Sequence, residues 1–293
     1  MPWLLSGLTL LIGVTATLSY WHHFEKQQHQ AVNLNFQAES ERLAATISQQ
    51  LNSYQVVMRG VQGFFQGSGQ ITYPEFLRYI DSLDITRDLR GVQGIGFAVL
   101  VTRKNLVTHL ATIRKELPTN YQIPPPVGNR DELAPIIYIE PLGENLAALG
   151  FDILSNPAAR EAAEMARDTG TIVITSPLTL AQDQSKQDAP GFVMYLPVYK
   201  HDHKLATPEG RRAALLGWVD VPFRVKDLLT GLEHQIDPDI DIEIHDFSAR
   251  NSHTLLFHGD AIPHQQRTVL GEWQYQQEIN IGHRKWTLLL SST

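Results

Sequence analysis

The chain has 293 residues, of which 43% are hydrophobic and 19% are charged, and this length is enough to bury a core. The 24 Lys and Arg against 31 Asp and Glu give a formal net charge of -7, which argues against a nucleic-acid binder. The chain contains no cysteine, so disulfides, thiolate metal sites and cysteine nucleophiles are excluded. The composition indicates a folded globular chain, neither disordered nor a polytopic membrane protein.

The N-terminal segment, residues 2–21, carries no charged side chain. A helix of this length spans about 30 Å, the thickness of the hydrocarbon core of a bilayer. Trp3, Tyr20 and Trp21 stand where interfacial aromatic residues are found. The segment therefore predicts a transmembrane signal anchor over residues 1–22. A cleavable signal peptide is the alternative, although a basic n-region and a small-residue cleavage site are both missing.

A long helix is predicted over residues 23–69, because proline is absent and a Gly-Ser-Gly sequence ends the segment. Its apolar residues follow steps of 7, 4, 4, 3, 4, 3 and 4, close to a heptad repeat. We call them the apolar stripe: Phe36, Leu43, Ile47, Leu51, Tyr54, Met58, Val61 and Phe65. Such a stripe either packs on its own domain or pairs with a second copy of the helix. Continuity with the anchor favours pairing, so a dimerisation helix and a homodimer are expected.

Short helices and strands alternate beyond residue 69, which predicts an α+β fold. Helices are expected over residues 72–84, 105–117 and 156–170. Strands are expected over residues 94–101, 134–142, 171–180, 191–199 and 213–223, followed by an antiparallel set. Asn156, Pro157 and Gly170 are typical of the N-cap, first position and end of a helix. The grouping predicts two tandem antiparallel-sheet subdomains, residues 70–210 and 211–293.

Three stretches of the chain resemble the CHASE domain, an extracytoplasmic sensor of many bacterial histidine kinases and diguanylate cyclases and of plant cytokinin receptors. They are RGVQGFF with GVQGIGFAVLV, GFDILSNPAAREAAEMARDTGTIVITSPLTL with GFVMYLPVYK, and RRAALLGWVDVPFRVKDLL. The resemblance implies a long helix followed by two PAS-like subdomains, of which the membrane-distal one (residues 70–210) holds the ligand. It also implies two flanking membrane helices, which place the chain after about residue 22 in the periplasm or extracellular space.

The sequence differs from the family by ending before a second membrane span and an output module. The expected function is the ligand-sensing region of a membrane-bound receptor in the inner or cell membrane. Its cytoplasmic output is expected to be a histidine kinase or a diguanylate cyclase or phosphodiesterase, while this region is expected to be neither catalytic nor dependent on a cofactor. A periplasmic module that senses a partner protein is the alternative. An enzyme is a third class, for which no nucleophile and base are visible.

The resemblance implies two ligand-binding positions. In the plant receptors an aspartate before the helix hydrogen-bonds the adenine-type ring, and an aliphatic residue lies on the following strand; these fall on Asp152 and Ile174. Asp152 stands in an apolar strand end, where an unpaired carboxylate is costly to bury. A small-molecule ligand with N–H or ammonium donors would satisfy it. Alternatively, Asp152 caps a turn or pairs with Arg160, and Ile174 belongs to the core.

The strand over residues 191–199 offers alternate side chains to the pocket. One set is Phe192, Met194 and Leu196, and the other is Val193 and Tyr195. We expect the first set to line the ligand site, with Trp218 on the next strand as a wall or as a packing residue. Tyr195 replaces a smaller residue of the plant receptors, so a cytokinin-like ligand is only an analogy.

Two polar clusters are interpreted as solvated surface. They are His201, Asp202 and His203 in a loop, and Asp237, Asp239, Asp241 and Glu243 on one strand face. The second lacks the glycine and the final glutamate that a calcium loop requires. The 12 histidines are scattered, which does not favour a pH sensor. No metal site, catalytic residue or nucleic-acid partner is expected.

Overall fold

The computed structural model describes residues 2–83, 91–124, 130–183, 190–201, 203–230, 240–246, 255–259 and 273–292. The side chains of residues 2–6, 8–10, 12, 229 and 230 also lie outside this description. Asp202, Asp237 and Asp239 of the two polar clusters are therefore outside the described residues.

The first element is one continuous helix, α1 (Pro2–Gly67), which ends at the predicted glycines. None of the helices in the described part of the chain combines the length and the apolar composition that a membrane span requires. Much of the predicted anchor, residues 1–22, consists of side chains that lie outside the described part of the chain.

The remaining chain forms short helices and antiparallel strands. The helices are α2 (Tyr73–Ser82), α3 (Leu106–Glu116), α4 (Leu142–Asn145), α5 (Pro157–Thr169), α6 (Pro208–Ala214) and α7 (Val225–Thr230). The shorter strands are β1 (Ile95–Val99), β2 (Val101–Thr102), β3 (Glu132–Leu133), β4 (Ile136–Glu140), β5 (Val173–Ile174) and β6 (Leu178–Thr179). The later strands are β7 (Pro190–Tyr199), β8 (Leu215–Arg224), β9 (Ile240–Asp246), β10 (Leu255–His258), β11 (Gln274–Ile281) and β12 (Arg284–Ser292). Single-turn 3-10 helices cover Arg103–Asn105, Leu146–Ala148, Ile153–Ser155 and Ala181–Asp183.

Two sheets make up most of the strand structure. The first sheet has six strands in the order β4-β1-β8-β7-β5, with β6 also paired to β7. The second sheet has four strands in the order β10-β9-β12-β11, and β2 pairs with β3 separately. Every pairing is antiparallel. The prediction of an α+β fold with a long N-terminal helix and antiparallel sheets is confirmed.

Strand β8 lies in the middle of the first sheet, between β1 and β7. The expected boundary between subdomains, residues 210 and 211, placed this strand in the second group. The change from the first sheet to the second instead follows Arg224. The sequence of β8 is that of an ordinary buried strand. Its assignment to the first sheet depends on pairing with two earlier strands, which the local sequence does not show.

The apolar stripe of α1 is buried against the chain's own sheets. All eight of its residues are buried. The rings of Tyr54 and Phe223 lie 4.9 Å apart, and those of Phe65 and Phe97 lie 3.9 Å apart. The expectation that this stripe pairs with a second copy is therefore corrected, because its apolar surface is already covered within one chain.

The first sheet is covered by α1 on one face and by α5 on the other. Phe97, Met194 and Val219 pack in the core that contains the α1 stripe, whereas Tyr195 and Trp218 belong to the core beneath α5. Helix α5 begins where the Asn156 side chain accepts hydrogen bonds from the N–H groups of Ala158 (2.9 Å) and Ala159 (3.1 Å). It ends at Gly170, whose φ of 74° suits a helix C-cap. The predicted caps of this helix are thus confirmed.

Candidate ligand-binding site

A cavity of about 270 Å³ opens between the first sheet and the start of α5. Its walls are mostly apolar and include Ile136, Ile139, Ala148, Phe151, Ala159 and Val193. Its polar lining residues are Ser155, Asn156, Thr179, Gln182, Tyr195 and Asp220. This combination of apolar walls with a few polar groups is typical of a small-molecule site.

Asp220 is the ionisable carboxylate among the lining residues that the structure describes. It lies at the centre of β8, where its register partners are Gly96 on β1 and Tyr195 on β7. A Cβ atom at Gly96 would lie 2.7 Å from Oδ1 and 2.8 Å from Oδ2 of Asp220. A glycine at this position of β1 therefore leaves the room that the carboxyl group occupies.

The environment of Asp220 strongly disfavours its charge. The side chain is 2% exposed, and its Oδ1 atom has no hydrogen-bond partner among the described residues. Burial raises the pKa of Asp220 to about 8, although a hydrogen bond from its own backbone opposes this shift. Burial, together with the nearby Asp220, also raises the pKa of the Tyr195 hydroxyl well above its usual value. The cavity therefore contains a carboxyl group that holds a proton at neutral pH.

Asp152 lies near the cavity but is not among its lining residues. Its carboxylate accepts hydrogen bonds from the N–H groups of Ala134 (2.8 Å) and Leu154 (3.1 Å) and pairs with Arg130 at 2.7 Å. Arg160 instead donates to the carbonyl of Leu154. These contacts give Asp152 a turn-capping and ion-pairing role, with a different arginine from the one expected. A ligand contact by Asp152 stays a prediction.

The other expected site residues are not among those that line the cavity. Ile174, Phe192, Met194 and Leu196 are buried in the core that faces α1, and Trp218 donates from Nε1 to the carbonyl of Ala163 in α5 at 2.8 Å. The alternative set on this strand, Val193 and Tyr195, lines the cavity. Alternation along β7 explains the difference, because only one face of the strand meets the cavity.

Ile174 and Phe192 instead join the first sheet to the second. The Ile174 N–H donates to the carbonyl of Gly282, in the turn between β11 and β12, at 2.9 Å. The Phe192 ring lies 5.0 Å from the ring of Trp286 on β12. Ile174 and Phe192 therefore contribute to the junction between the two sheets, and a ligand contact by either of them stays a prediction.

Asp220 was missed at the sequence level, although a signal for it exists. It is a carboxylate within an apolar strand, GWVDVPF. The same rule that drew attention to Asp152, the cost of burying an unpaired carboxylate, applies to Asp220 with greater force. The hydrogen-bond partners that separate the two aspartates come from residues distant in sequence, so the rule alone could not rank them.

The described members of the second polar cluster, Asp241 and Glu243 on β9, are buried, which corrects their interpretation as solvated surface. Asp241 is 3% exposed and Glu243 is 2% exposed. Together with His258 on β10 they offer ligand atoms within 4.8 Å of one another, and the His245 ring lies 2.9 Å from the Glu243 carboxylate. These are residue types that bind divalent metals.

Comparison with known proteins identifies the family. The family model described as CHASE domain matches residues 69–257, and the chain belongs to this family of sensor domains. The chain is 31% identical over 137 residues to Probable histidine kinase 4 of Oryza sativa subsp. japonica, covering 46% of this chain and 13% of that protein. It is 30% identical over 142 residues to Probable histidine kinase 5 of the same plant, covering 47% and 11%. The matches therefore span a small part of each kinase.

Proposed function

We propose that this chain is the ligand-sensing region of a membrane-bound signalling receptor, and that the cavity between the first sheet and α5 is its small-molecule site. The observation that carries this proposal is an apolar cavity of about 270 Å³ containing a buried carboxyl group, Asp220, with an unsatisfied oxygen. Membership of a sensor-domain family supports the same function. In this proposal the two sheets belong to two PAS-like subdomains, and the first is membrane-distal.

The proposed receptor has its N-terminus in the inner or cell membrane and the two sheets outside the cytoplasm. The uncharged sequence over residues 2–21 and its continuity with α1 support an anchor there. The cytoplasmic output module is proposed to be a histidine kinase or a diguanylate cyclase or phosphodiesterase. The two similar rice proteins, which are described as probable histidine kinases, favour the first of these.

A homodimer through α1 is also part of the proposal, but it uses a surface of the helix other than the apolar stripe. Each of residues 21–32 of α1 is largely exposed in a single chain. Leu34 and Val56 are exposed apolar residues on one side of this helix, because its 3.6-residue turn brings them within about 40° of each other. A second copy would cover them while leaving the stripe packed against its own sheets.

Native mass spectrometry of the purified full chain tests the cavity as a ligand site. We expect a small molecule to copurify with the wild type and to be lost from Ala159→Leu, because Ala159 lines the cavity and a leucine there would fill it. Ala158→Leu is the matched control, since Ala158 is the preceding residue of α5 and does not line this cavity. A molecule retained equally by both variants would contradict the proposed site.

A further inference from the structure

We infer that the cavity takes a compact, apolar ligand bearing one cationic amine, and that Asp220 is the residue that selects it. This inference rests on the proposed function, since it names the ligand class of the same site.

The hydrogen-bonding groups that line the cavity leave Asp220 as the strongest acceptor. Asn156 is occupied in capping α5. Gln182 donates to the Asn145 side chain at 3.0 Å, and Ser155 donates to the carbonyl of Asp152 at 2.6 Å. In contrast, Oδ1 of Asp220 has no partner among the described residues. A ligand donor placed against this oxygen would satisfy a buried polar atom that is otherwise costly.

The ionisable groups of the cavity favour a cationic ligand over an anionic one. No Lys, Arg or His is found among the described residues that line it, so an anionic ligand would meet a carboxyl group with no compensating charge. A buried carboxylate is stable only when it is paired and hydrogen-bonded, and an ammonium group supplies both a positive charge and up to three N–H donors. Tyr195, the cross-strand partner of Asp220, also lines the cavity and offers an aromatic ring to a cation.

The size and walls of the cavity limit the rest of the ligand. A volume of about 270 Å³ lies just below the usual range for ligand pockets, which begins at about 300 Å³. The walls near α5 and β4 are formed by Ala148, Ala159, Ile136 and Ile139, whose side chains offer no polar group to the part of the ligand beyond its amine. A single ring or a branched chain of a few carbons, joined to one amine, matches these walls.

Binding of such a ligand is coupled to loss of a proton. Burial raises the pKa of Asp220 to about 8, whereas an alkyl amine titrates near the lysine value of about 10.4. Below pH 8 the carboxylic acid therefore releases its proton to solvent as the ammonium enters and forms the ion pair. Among the described groups that face Asp220, β7 contributes the Tyr195 hydroxyl, β1 contributes Gly96, and the lining residues of α5 and β4 contribute no ionisable side chain. Affinity should then rise about tenfold from about pH 6 to about pH 7.

Isothermal titration calorimetry on the full chain in detergent tests the inference with three matched pairs of probes. These are phenethylamine with phenethyl alcohol, cyclohexylmethylamine with cyclohexylmethanol, and isoamylamine with isoamyl alcohol. The amines should bind more tightly than the alcohols, and only the amines should gain about tenfold in affinity between about pH 6 and about pH 7. Titrations in buffers of different ionisation enthalpy should show release of about one proton per bound amine at about pH 6.

Asp220→Asn should remove the preference for amines and its pH dependence while the alcohols still bind. Asp81→Asn, a change of the same kind at an exposed position of α2, should behave as the wild type. Alcohols that bind as tightly as amines, or amine affinities that do not change with pH, would overturn the cationic ligand class and leave the cavity as a ligand site. Binding of neither series would overturn the inference together with the proposed site. The wild-type titrations alone test the cationic ligand class, so they remain decisive even if Asp220→Asn fails to fold.

Discussion

Two buried aspartates of the chain have opposite surroundings. Asp152 accepts hydrogen bonds from two backbone N–H groups and pairs with Arg130, whereas Asp220 has an oxygen without a partner among the described residues. A carboxylate that is hydrogen-bonded within the protein stabilises its own turn. A carboxylate that is left unsatisfied destabilises the free protein, and a ligand that donates a hydrogen bond to it removes this cost. Stability measurements can therefore assign the two roles separately.

Asp152→Asn should destabilise the protein by about 2–4 kcal/mol, because the change leaves the Arg130 guanidinium near a neutral group and weakens the turn cap. The side chain of Arg130 is 18% exposed, so water offsets part of this loss. Urea unfolding of the full chain measures the change, with the exposed Asp131→Asn as control. Retention of the copurified molecule is expected in Asp152→Asn. A variant of unchanged stability that loses the molecule would instead favour a ligand contact by Asp152.

Asp220→Asn should change how the free energy of unfolding depends on pH. The pKa of Asp220 is raised in the folded state to about 8, above its unfolded value of about 3.9. The protonated carboxyl group therefore stabilises the fold fully below about pH 4, and this contribution is lost as the pH rises toward 8, by at most about 1.4 kcal/mol per pH unit. Asparagine does not titrate, so the free energy of unfolding of the variant should rise steadily relative to that of the wild type over this range.

Thermal unfolding at intervals from about pH 4 to about pH 8 measures this difference between the two proteins. Any fixed cost of fitting the amide group is the same at each pH and does not affect the slope. A difference that stays constant over the whole range would show that Asp220 is already ionised in the folded protein.

At the scale of elements, local sequence signals located the helices and strands well. Helix α5 has the caps that Asn156 and Gly170 predict, and α1 ends at the predicted glycines. The expected strand over residues 171–180 is broken into β5 and β6. Pro177 separates these two short strands, which is consistent with the inability of proline to donate in a ladder.

The pairing of the strands, and the neighbour that each strand face meets, were harder to predict than the elements themselves. The position of β8 in the first sheet depends on partners far away in sequence, and both faces of β7 are apolar and buried. Alternation therefore could not show which face of β7 lines the cavity and which meets α1. The same ambiguity applied to the stripe of α1, whose spacing suits either a second copy of the helix or a sheet.

The turn between β11 and β12 ties the two sheets together. The Gly282 carbonyl accepts from the Ile174 N–H at 2.9 Å, and His283 Nε2 lies 2.8 Å from Thr171 Oγ1. Gly282 has a φ of 51°, and a Cβ atom there would collide with the side chain of Ile174. Gly282→Val should therefore open this junction and destabilise the protein by about 1–3 kcal/mol.

Hydrogen exchange at the Ile174 amide reports on the junction directly. We expect faster exchange in Gly282→Val, and wild-type exchange in Asn280→Val, a control at an exposed position of the same hairpin. Wild-type protection of the Ile174 amide in Gly282→Val would mean that the contact between the sheets does not depend on this turn.

At the scale of the whole molecule, α1 packs against both sheets, and β7 of the first sheet contacts β12 of the second. The stripe of α1 packs in the same core as residues of β7, β8 and β12. Replacing Leu43, Ile47 and Leu51 with Glu should therefore prevent folding, since each substitution buries a charge. Pairing through the stripe would instead predict a folded monomer. The matched control replaces the exposed Leu34 and Val56 with Glu, which should keep cooperative melting and lower the proposed dimer fraction in light scattering.

A signal from the cavity has a direct physical route through β7. One face of this strand lines the cavity through Val193 and Tyr195, and on the other face Phe192 meets Trp286 of the second sheet. The second sheet reaches α1 near the proposed membrane side, where the rings of His29 and Trp273 lie 6.2 Å apart. A ligand can bias this assembly only if it binds two arrangements of the sheets with different affinities.

Spin labels at Gln30 on α1 and Gln274 on β11 would measure the resulting movement. Both positions are exposed, and the absence of cysteine from the chain makes labelling at introduced cysteines specific. Saturation with the tightest-binding amine or alcohol probe should shift the distance between the labels by about 1–2 Å, the size of known helix shifts. A pair at Gln30 and Gln49 within α1 is the control and should not change. Identical Gln30–Gln274 distances with and without the probe would contradict transmission through β7, because ligand occupancy would then leave the second sheet fixed against α1.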